Sequence, residues 1–182
     1  MNLLRLVTFQ CPDAWETLRR EGALRADPRR VPPEWRSAYH WMMRRMRERL
    51  PGYQGGWPLW AWLVREGGPQ PEAPEGPCVR LELRVASERA LLSDFDGWHA
   101  VLNRWYLSLS EEEDEAWEAR LPYPPLWPKM PLRFRKEVVR SWERMFDLEL
   151  MAGSWWASGD QRVQAVLEEM RLADVVDARL CG

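Results

Sequence analysis

The sequence predicts an α+β fold in a single domain over residues 1–182, with a mixed or antiparallel sheet and several helices. Two patterns lead to this class. Residues 78–85, CVRLELRV, alternate strictly between apolar and charged side chains, as a half-buried strand does. Residues 33–50 instead repeat apolar side chains every three or four positions, as an amphipathic helix does. Because strands and helices do not alternate regularly along the chain, the pattern favours α+β over a βα repeat.

The first elements follow from local signals. Residues 3–9, LLRLVTF, are rich in strand formers and predict the first strand. Pro12 suits the first turn of a helix, and Gly22 suits the cap that ends it. In the helix of residues 33–50, the predicted apolar face consists of Trp35, Tyr39, Met42, Met46 and Leu50.

The later elements are separated by two segments rich in proline or glycine, 67–77 and 121–131, which predict surface loops within the one domain. Further signals predict a buried strand at WPLWAWLV, a helix at 132–146 and two closing strands in RVQAVLEEM and VVDARL.

Two helix starts carry the spacing of a capping box. Ser93 and Asp96 precede a helix whose predicted apolar face includes Trp98 and Trp105. Ser110 and Glu113 have the same spacing in front of an acidic segment.

The composition limits the function classes. The net charge of −2 argues against a general binder of duplex DNA or of a membrane surface. Cys11, Cys78 and Cys181 are odd in number and far apart, and no CxxC pair is present, so neither a disulfide framework nor a zinc ribbon is expected. The N-terminal segment does not resemble a signal peptide and no apolar run approaches membrane length, so we expect a cytoplasmic protein.

Asp96, His99 and Asn103 share the polar face of one helix. In a functional interpretation, Asp96 orients His99 for proton transfer, which makes both candidate catalytic residues, and Asn103 is a candidate ligand-binding residue. In a structural interpretation, the aspartates cap the helix and the three side chains form a solvated face.

Arg36, His40, Arg44 and Arg47 form a second polar helix face. Arginine forks at this spacing suit a phosphate or pyrophosphate, so Arg36, His40 and Arg44 are candidate ligand-binding residues. The alternative is an ordinary solvent-exposed face.

The chain contains 13 tryptophans. The groups Trp57, Trp60, Trp62 and Trp155, Trp156 can stack on a base or a nicotinamide ring, or can pack in the core or at its rim. The second group lies in the glycine-flanked loop GSWWASGD, where a ligand or partner surface is a specific alternative to packing. No GxGxxG, P-loop, GxSxG or HExxH motif is present, so these patterns support none of the common enzyme classes.

Several segments together span most of the chain and resemble an uncharacterised bacterial family that is defined as a domain of unknown function. They are TFQ…AWETLRREGALRAD, AYHWMMRRM, PLWAW, LLSDFDGWHAVLN, SWERMFDL and VQAVLEEM. This resemblance implies no activity.

The opening order of strand, short helix, glycine and hydrophobic pair also resembles ADP-ribosyltransferase-like domains. In those domains the first strand supplies a His or Arg, a middle aromatic residue stacks on nicotinamide, and a late-strand Glu stabilises the transition state. The resemblance implies that Thr8 and Gln10 take the first position, Tyr39 or Trp62 the second and Gln164 the third, with NAD or another nucleotide as a possible ligand. Gln164, a candidate catalytic residue on this basis, lacks the negative charge of the glutamate, which leaves turnover open.

The leading hypothesis is therefore a nucleotide or phosphate-ligand binding domain with an ADP-ribosyltransferase-like fold. Its cleft would contain Thr8, Gln10, Tyr39, His40 and Gln164. The alternative is a non-catalytic module that binds a protein partner through exposed tryptophans. A third, weaker hypothesis is an RNA-binding or RNA-processing protein that uses the arginine face.

Overall fold

The α+β class is confirmed: the described part of the chain forms a six-stranded sheet, a two-stranded sheet and six α-helices. The computed structural model describes residues 2–65, 67–68, 70–121, 127–157 and 161–181. The chain divides into a first unit, residues 1–92 with 164–182, and a second unit, residues 93–163. That these belong to one domain stays a prediction.

The bounds of the elements are as follows. The strands are β1 Leu3–Gln10, β2 Ala23–Arg25, β3 Leu59–Leu63, β4 Cys78–Ala86, β5 Ala90–Asp94, β6 Val163–Leu167, β7 Glu169–Arg171 and β8 Val175–Cys181. The α-helices are α1 Pro12–Glu21, α2 Arg36–Arg49, α3 Phe95–Asn103, α4 Glu111–Glu118, α5 Leu132–Ser141 and α6 Leu148–Ala152.

The large sheet has the strand order β5–β6–β3–β1–β4–β8, and β2 pairs with β7 in the small sheet. β1 lies between β3 and β4 and is antiparallel to both: Leu6 lies opposite Leu63 on one side and Leu83 on the other. The β3–β6 and β4–β8 ladders are also antiparallel. The sequence predicted a mixed or an antiparallel sheet, and these four ladders are antiparallel.

One face of this sheet forms the core of the first unit. The alternation seen in the sequence of β4 is confirmed, because its apolar side chains on one face are all buried. They pack in one cluster with Leu6 of β1, Ala61 of β3 and Leu18 of α1. Helix α1 ends where Gly22 adopts the left-handed conformation with φ 76° and donates its N–H to the Leu18 carbonyl, as predicted for a glycine cap.

Helix α2 follows a 3₁₀ turn at Pro33–Trp35 and buries Ala38, Trp41, Met42 and Met46, which agrees with the predicted face only in part. Trp41 is buried, whereas Trp35, at the predicted apolar face, is 39% exposed. Trp35 precedes the first α-helical residue, so the spacing of the helix does not apply to it. The prediction for Trp35 was therefore wrong, while Met42 and Met46 are buried as expected.

In the second unit, the partly buried carboxylate of Glu113 connects α4 with residues 106–109 and with Arg144. This carboxylate accepts hydrogen bonds from the Tyr106 hydroxyl, from the Leu109 N–H and from the Arg144 guanidinium, which is 2.8 Å away at its closest. Arg144 also donates to the Leu107 carbonyl. Burial disfavours the charged carboxylate, but these hydrogen bonds outweigh it, and the pKa of Glu113 is lowered.

The two predicted helix caps have different outcomes. The Ser110 hydroxyl accepts the Glu113 N–H at the start of α4, which confirms this cap. At α3 the prediction was wrong, because Asp94 and not Ser93 is the N-cap and accepts the Gly97 N–H at 2.8 Å. Strand β5 continues through Asp94, so Ser93 is still part of a strand and is buried.

A disulfide joins Cys78 and Cys181, although the pattern of cysteines in the sequence did not indicate a disulfide framework. The two residues lie directly opposite each other in the β4–β8 ladder, with their Cα atoms 5.2 Å apart. They are 103 residues apart in sequence, so no local spacing reveals the pair.

The predicted loops contain no helix or strand among residues 67–68 and 70–77. In the segment 121–131, residues 122–126 lie outside the described residues, and Trp127–Lys129 form a 3₁₀ turn. No helix within the described ranges is long and apolar enough to cross a membrane.

Candidate functional site

Helix α2 presents a row of exposed cationic side chains in the first unit. Arg36, His40, Arg44 and Arg47 are all exposed, at successive spacings of four, four and three residues. Arg36 and Arg44 have no ion-pair partner among the residues that the structure describes. The guanidinium of Arg47 lies 6.0 Å from the ring of Tyr53. The face predicted to hold phosphate is therefore exposed, and two of its arginines have no acidic partner in the part of the chain that the structure describes.

An aromatic cluster adjoins this row. The ring of His40 lies 5.2 Å from that of Trp57, and the ring of Tyr39 lies 6.1 Å from Trp57 and 6.2 Å from Trp60. Burial raises the pKa of Tyr39, and a hydrogen bond with Trp60 only partly offsets this effect. The Tyr39 hydroxyl therefore stays protonated at neutral pH. We call Arg36, Tyr39, His40, Arg44, Arg47, Trp57 and Trp60 the α2 surface.

Gln164 lies on the sheet face that α2 covers. Trp62 is directly opposite Val7 on one side and Gln164 on the other, so these three side chains share a face. Trp60 is two residues from Trp62 and shares that face, where it meets Tyr39 of α2. Gln164 is 4% exposed, and its Nε2 has no hydrogen-bond partner within the described ranges. A buried donor without a partner is costly, so water or a ligand group is expected to accept from it.

Thr8 and Gln10 lie on the opposite face of the sheet from Gln164. Both are an odd number of residues from Val7 along β1, so their side chains point away from the face of Val7 and Gln164. The Thr8 hydroxyl donates to the Trp60 carbonyl at 2.9 Å, and Gln10 Nε2 donates to the Thr8 hydroxyl at 2.8 Å. The sheet therefore brings Gln164 towards Tyr39, but it does not bring Thr8 and Gln10 into the same cleft.

The loop that leads to Trp57 is held by Glu168, a residue that the sequence did not single out for this role. The carboxylate of Glu168 accepts the backbone N–H groups of Gln54 and Gly56, the latter at 2.7 Å. A Cβ on Gly56 would come within 2.6 Å of Glu168 Cγ, so only glycine allows this approach. The pair Gly55-Gly56 was the available signal, because adjacent glycines often mark a close approach to the backbone.

On the polar face of α3, in the second unit, each side chain binds a group of the same unit. Asp96 forms an ion pair with Arg162 at 2.8 Å. His99 Nδ1 lies 3.0 Å from the Phe95 carbonyl, and Asn103 donates to the His99 carbonyl at 2.8 Å. Because a carbonyl only accepts, the bond to Phe95 requires a proton on Nδ1 of His99. None of these contacts joins Asp96 to His99.

Asp94, next to this face, is a buried carboxyl group that sequence reasoning treated only as helix-terminal charge. Its two oxygens accept from the Gly97 N–H and from Gln161 Nε2. Burial raises the pKa of Asp94, and the hydrogen bond from Gly97 opposes this shift. Its contacts make it a helix cap.

The tryptophan pair of the GSWWASGD loop is anchored to the second unit through its indole nitrogens. Trp155 and Trp156 both donate to the Ser108 carbonyl, at 3.2 and 2.7 Å. Even so, Trp155 remains 47% exposed, and Trp105 is 53% exposed. Among the described residues, no group of three or more His, Cys, Asp or Glu side chains is arranged to hold a metal ion.

These features define an α+β protein with an antiparallel sheet and a helix whose exposed row of cationic side chains lies beside an aromatic cluster. The family model for the domain of unknown function DUF3841 matches residues 5–176, and the chain belongs to this family. The predicted membership of a domain-of-unknown-function family is thus confirmed. No curated protein and no solved structure matches the chain, so the ADP-ribosyltransferase resemblance is not confirmed.

Proposed function

We propose that this domain binds a nucleotide or a similar phosphate-bearing ligand at the α2 surface. The observation that carries the proposal is the position of Arg36 and Arg44 on either side of a histidine that contacts Trp57, since neither guanidinium has an acidic partner among the described residues. An arginine without an acidic partner keeps its five donors available to phosphate oxygens. The adjacent rings offer faces on which a base can stack.

The dimensions of the α2 surface suit a small ligand. Arg36 and Arg44 are eight residues apart, which is about 12 Å along a helix, whereas Arg44 and Arg47 are separated by about 4.5 Å of rise. A diphosphate can therefore span Arg44 and Arg47, which lie one and two turns beyond His40, the residue whose ring is 5.2 Å from that of Trp57. Gln164 adds a buried amide donor on the sheet face beneath α2.

An ADP-ribosyltransferase-like version of the proposal, with NAD as ligand, has partial support. Trp62 and Gln164 are cross-strand neighbours, as a middle aromatic residue and a late-strand polar residue would be. Thr8 and Gln10 face the other way, so they support β1 in this version and do not contact NAD. Gln164 would position the ligand as an amide donor, without the charge that the family's glutamate supplies.

The test is isothermal titration calorimetry with ADP, NAD and inorganic pyrophosphate. Arg44→Ala should weaken ADP binding by about 10- to 100-fold, since a hydrogen bond to a charged group contributes about 1.5–3 kcal/mol. Arg140→Ala is the matched control, because Arg140 is an exposed helical arginine of α5 in the second unit. Equal ADP affinity in wild type and Arg44→Ala would contradict the proposal.

A second candidate function is binding of a protein partner by the second unit. The observation in its favour is the exposure of two large rings, Trp105 and Trp155, whose backbones are hydrogen-bonded in place. A partner that binds the wild type, but not the double variant Trp105→Ser with Trp155→Ser, would support it.

The RNA-binding hypothesis is tested by adding a single-stranded RNA oligomer to the same calorimetric series. If it is correct, the affinity for RNA falls steeply with salt concentration.

A further inference from the structure

Strand β8 forms an open edge of the six-stranded sheet. Val175–Cys181 pair with β4 on one side and are last in the strand order. Within the described ranges, no backbone group of β8 has a hydrogen bond on its outer side. Two of its apolar side chains are strongly exposed, Val176 at 57% and Leu180 at 84%.

Open edges of this kind are usually protected by proline, lysine or a bulge, because they pair with other strands. β8 contains neither proline nor lysine. The register shift between Glu82 and Leu83 makes Val176 an additional residue at the start of β8. From Asp177 onwards the ladder is regular, so a straight edge is available for pairing.

The side chains of this edge are complementary to themselves. The sequence from Val176 to Leu180 is VDARL, with an apolar residue at each end and opposite charges on either side of Ala178. In an antiparallel pair of two such strands centred on Ala178, Asp177 of each copy lies opposite Arg179 of the other, and Val176 lies opposite Leu180. Both kinds of contact occur twice.

We propose that β8 pairs with β8 of a second copy of this chain about a twofold axis at Ala178, which joins the two sheets into one. Such an interface is isologous, since the same strand serves on both sides. The charge pattern selects this register, because a shift by two residues separates the opposite charges and moves Leu180 away from Val176.

The contacts of β8 with β4 favour a second copy as the occupant. Across this ladder Asp177 lies opposite Glu82, and Arg179 lies opposite Arg80, so each charge faces its own sign. Within β8, Asp177 and Arg179 form an ion pair at 2.7 Å. Only on the outer side of β8 can each of these two residues face a further residue of opposite charge. A second β8 provides this, because its Arg179 lies opposite Asp177 and its Asp177 lies opposite Arg179.

The experiment is sedimentation velocity over a range of concentrations, on the full chain with its disulfide intact. Asp177→Arg alone places arginine opposite arginine, and Arg179→Asp alone places aspartate opposite aspartate. Each variant should raise the dimer dissociation constant by about tenfold or more. An equimolar mixture of the two should dimerise again, because the arginine introduced at position 177 of one chain then faces the aspartate introduced at position 179 of the other.

The mixture separates pairing between chains from loss of the ion pair within β8, since neither variant contains that internal pair. Leu180→Lys is an independent variant at a side chain that is almost fully exposed, so it cannot act by unfolding the core. It should also weaken the dimer, whereas Glu115→Arg on the exposed surface of α4 should not. A wild type that is monomeric throughout, or single variants whose mixture remains monomeric, would overturn the proposal.

Discussion

Helices α2 and α3 each carry a histidine flanked by polar side chains at spacings of three or four residues. On α3 these side chains are used within the second unit: Asp96 pairs with Arg162, and His99 and Asn103 each bond to a backbone carbonyl one turn earlier. Groups of this kind stabilise a helix whether or not a ligand is present.

On α2 the arrangement differs. Arg36 and Arg44 have no acidic partner in the described part of the chain, and His40 contacts the ring of Trp57. Two faces with the same spacing therefore have different uses. Spacing thus identifies a polar face, whereas the partners of its side chains indicate whether the face maintains the fold or remains available to a ligand.

The largest effect is expected where a carboxylate has the most internal partners. Glu113→Gln removes the negative charge that Arg144, Tyr106 and the Leu109 N–H share, and should lower the free energy of unfolding by about 2–3 kcal/mol, allowing for partial exposure. Urea unfolding measures the loss, with Glu115→Gln on the exposed side of α4 as control, expected within about 0.5 kcal/mol of wild type.

The same pair of proteins gives a pH dependence. The pKa of Glu113 is lowered in the folded state, so its contribution is fully present above its ordinary value near 4.5 and is lost as the pH falls through the folded value. The difference between wild type and Glu113→Gln should shrink below pH 4.5. A difference that stays constant down to low pH would contradict this account of Glu113.

The next effect concerns Asp94, the N-cap of α3. Asp94→Ala should lower the free energy of unfolding by about 1–2 kcal/mol, because the Gly97 N–H loses its acceptor. Asp94→Asn retains a capping oxygen and should cost less than Asp94→Ala.

The pKa of Asp94 is raised in the folded state, so its contribution to stability is greatest at low pH and falls as the pH rises through the folded value. Asp94→Asn should not show this decline. Thermal unfolding between about pH 3 and pH 8 compares the two proteins, and parallel pH profiles would exclude a raised pKa for Asp94.

A smaller effect is expected at Asp96. Since Asp94 holds the cap, Asp96→Ala removes only a partly exposed ion pair with Arg162 and should cost no more than about 1 kcal/mol. Chemical unfolding of the single and double variants of Asp96 and Arg162 isolates the pair. A loss larger than that of Asp94→Ala would reverse the assignment of the cap.

The smallest effect is expected on α2. Arg44→Ala should change the free energy of unfolding by no more than about 0.5 kcal/mol, because Arg44 is exposed and unpaired in the described part of the chain. Thermal unfolding without ligand measures this directly. A marked loss of stability would show that Arg44 maintains the fold, as the polar side chains of α3 do, and would contradict the contrast between the two helices.

Much of the fold was predictable because periodicity follows burial. The alternation in β4 and the glycine after α1 are local signals, and both predictions were confirmed. Strand β5 was not predicted, because its residues LLSD directly precede a helix and resemble the start of that helix. The helix itself was predicted, but the cap was displaced by one residue from Ser93 to Asp94.

The candidate site was less predictable, since its geometry depends on strands distant in sequence. That Gln164 and Thr8 lie on opposite faces follows from the register of β1, β3 and β6, and no single segment contains that register. The role of Glu168 depends on a loop more than a hundred residues earlier in the chain. By contrast, the exposed cationic row of α2 is local and was predicted from its spacing.

The Cys78–Cys181 disulfide closes a covalent ring that contains the entire segment 93–163. When the second unit unfolds, its chain ends remain tethered, and the entropy that it gains is that of a loop and not of a free chain. In the chain-entropy model, closing a ring of about 100 residues stabilises the folded state by about 4–5 kcal/mol. One cut of the chain between Cys78 and Cys181 therefore opens the ring, but the disulfide still joins the two pieces. A cut within residues 67–77 lies outside the ring and leaves the N-terminal segment with no covalent link to the rest of the chain.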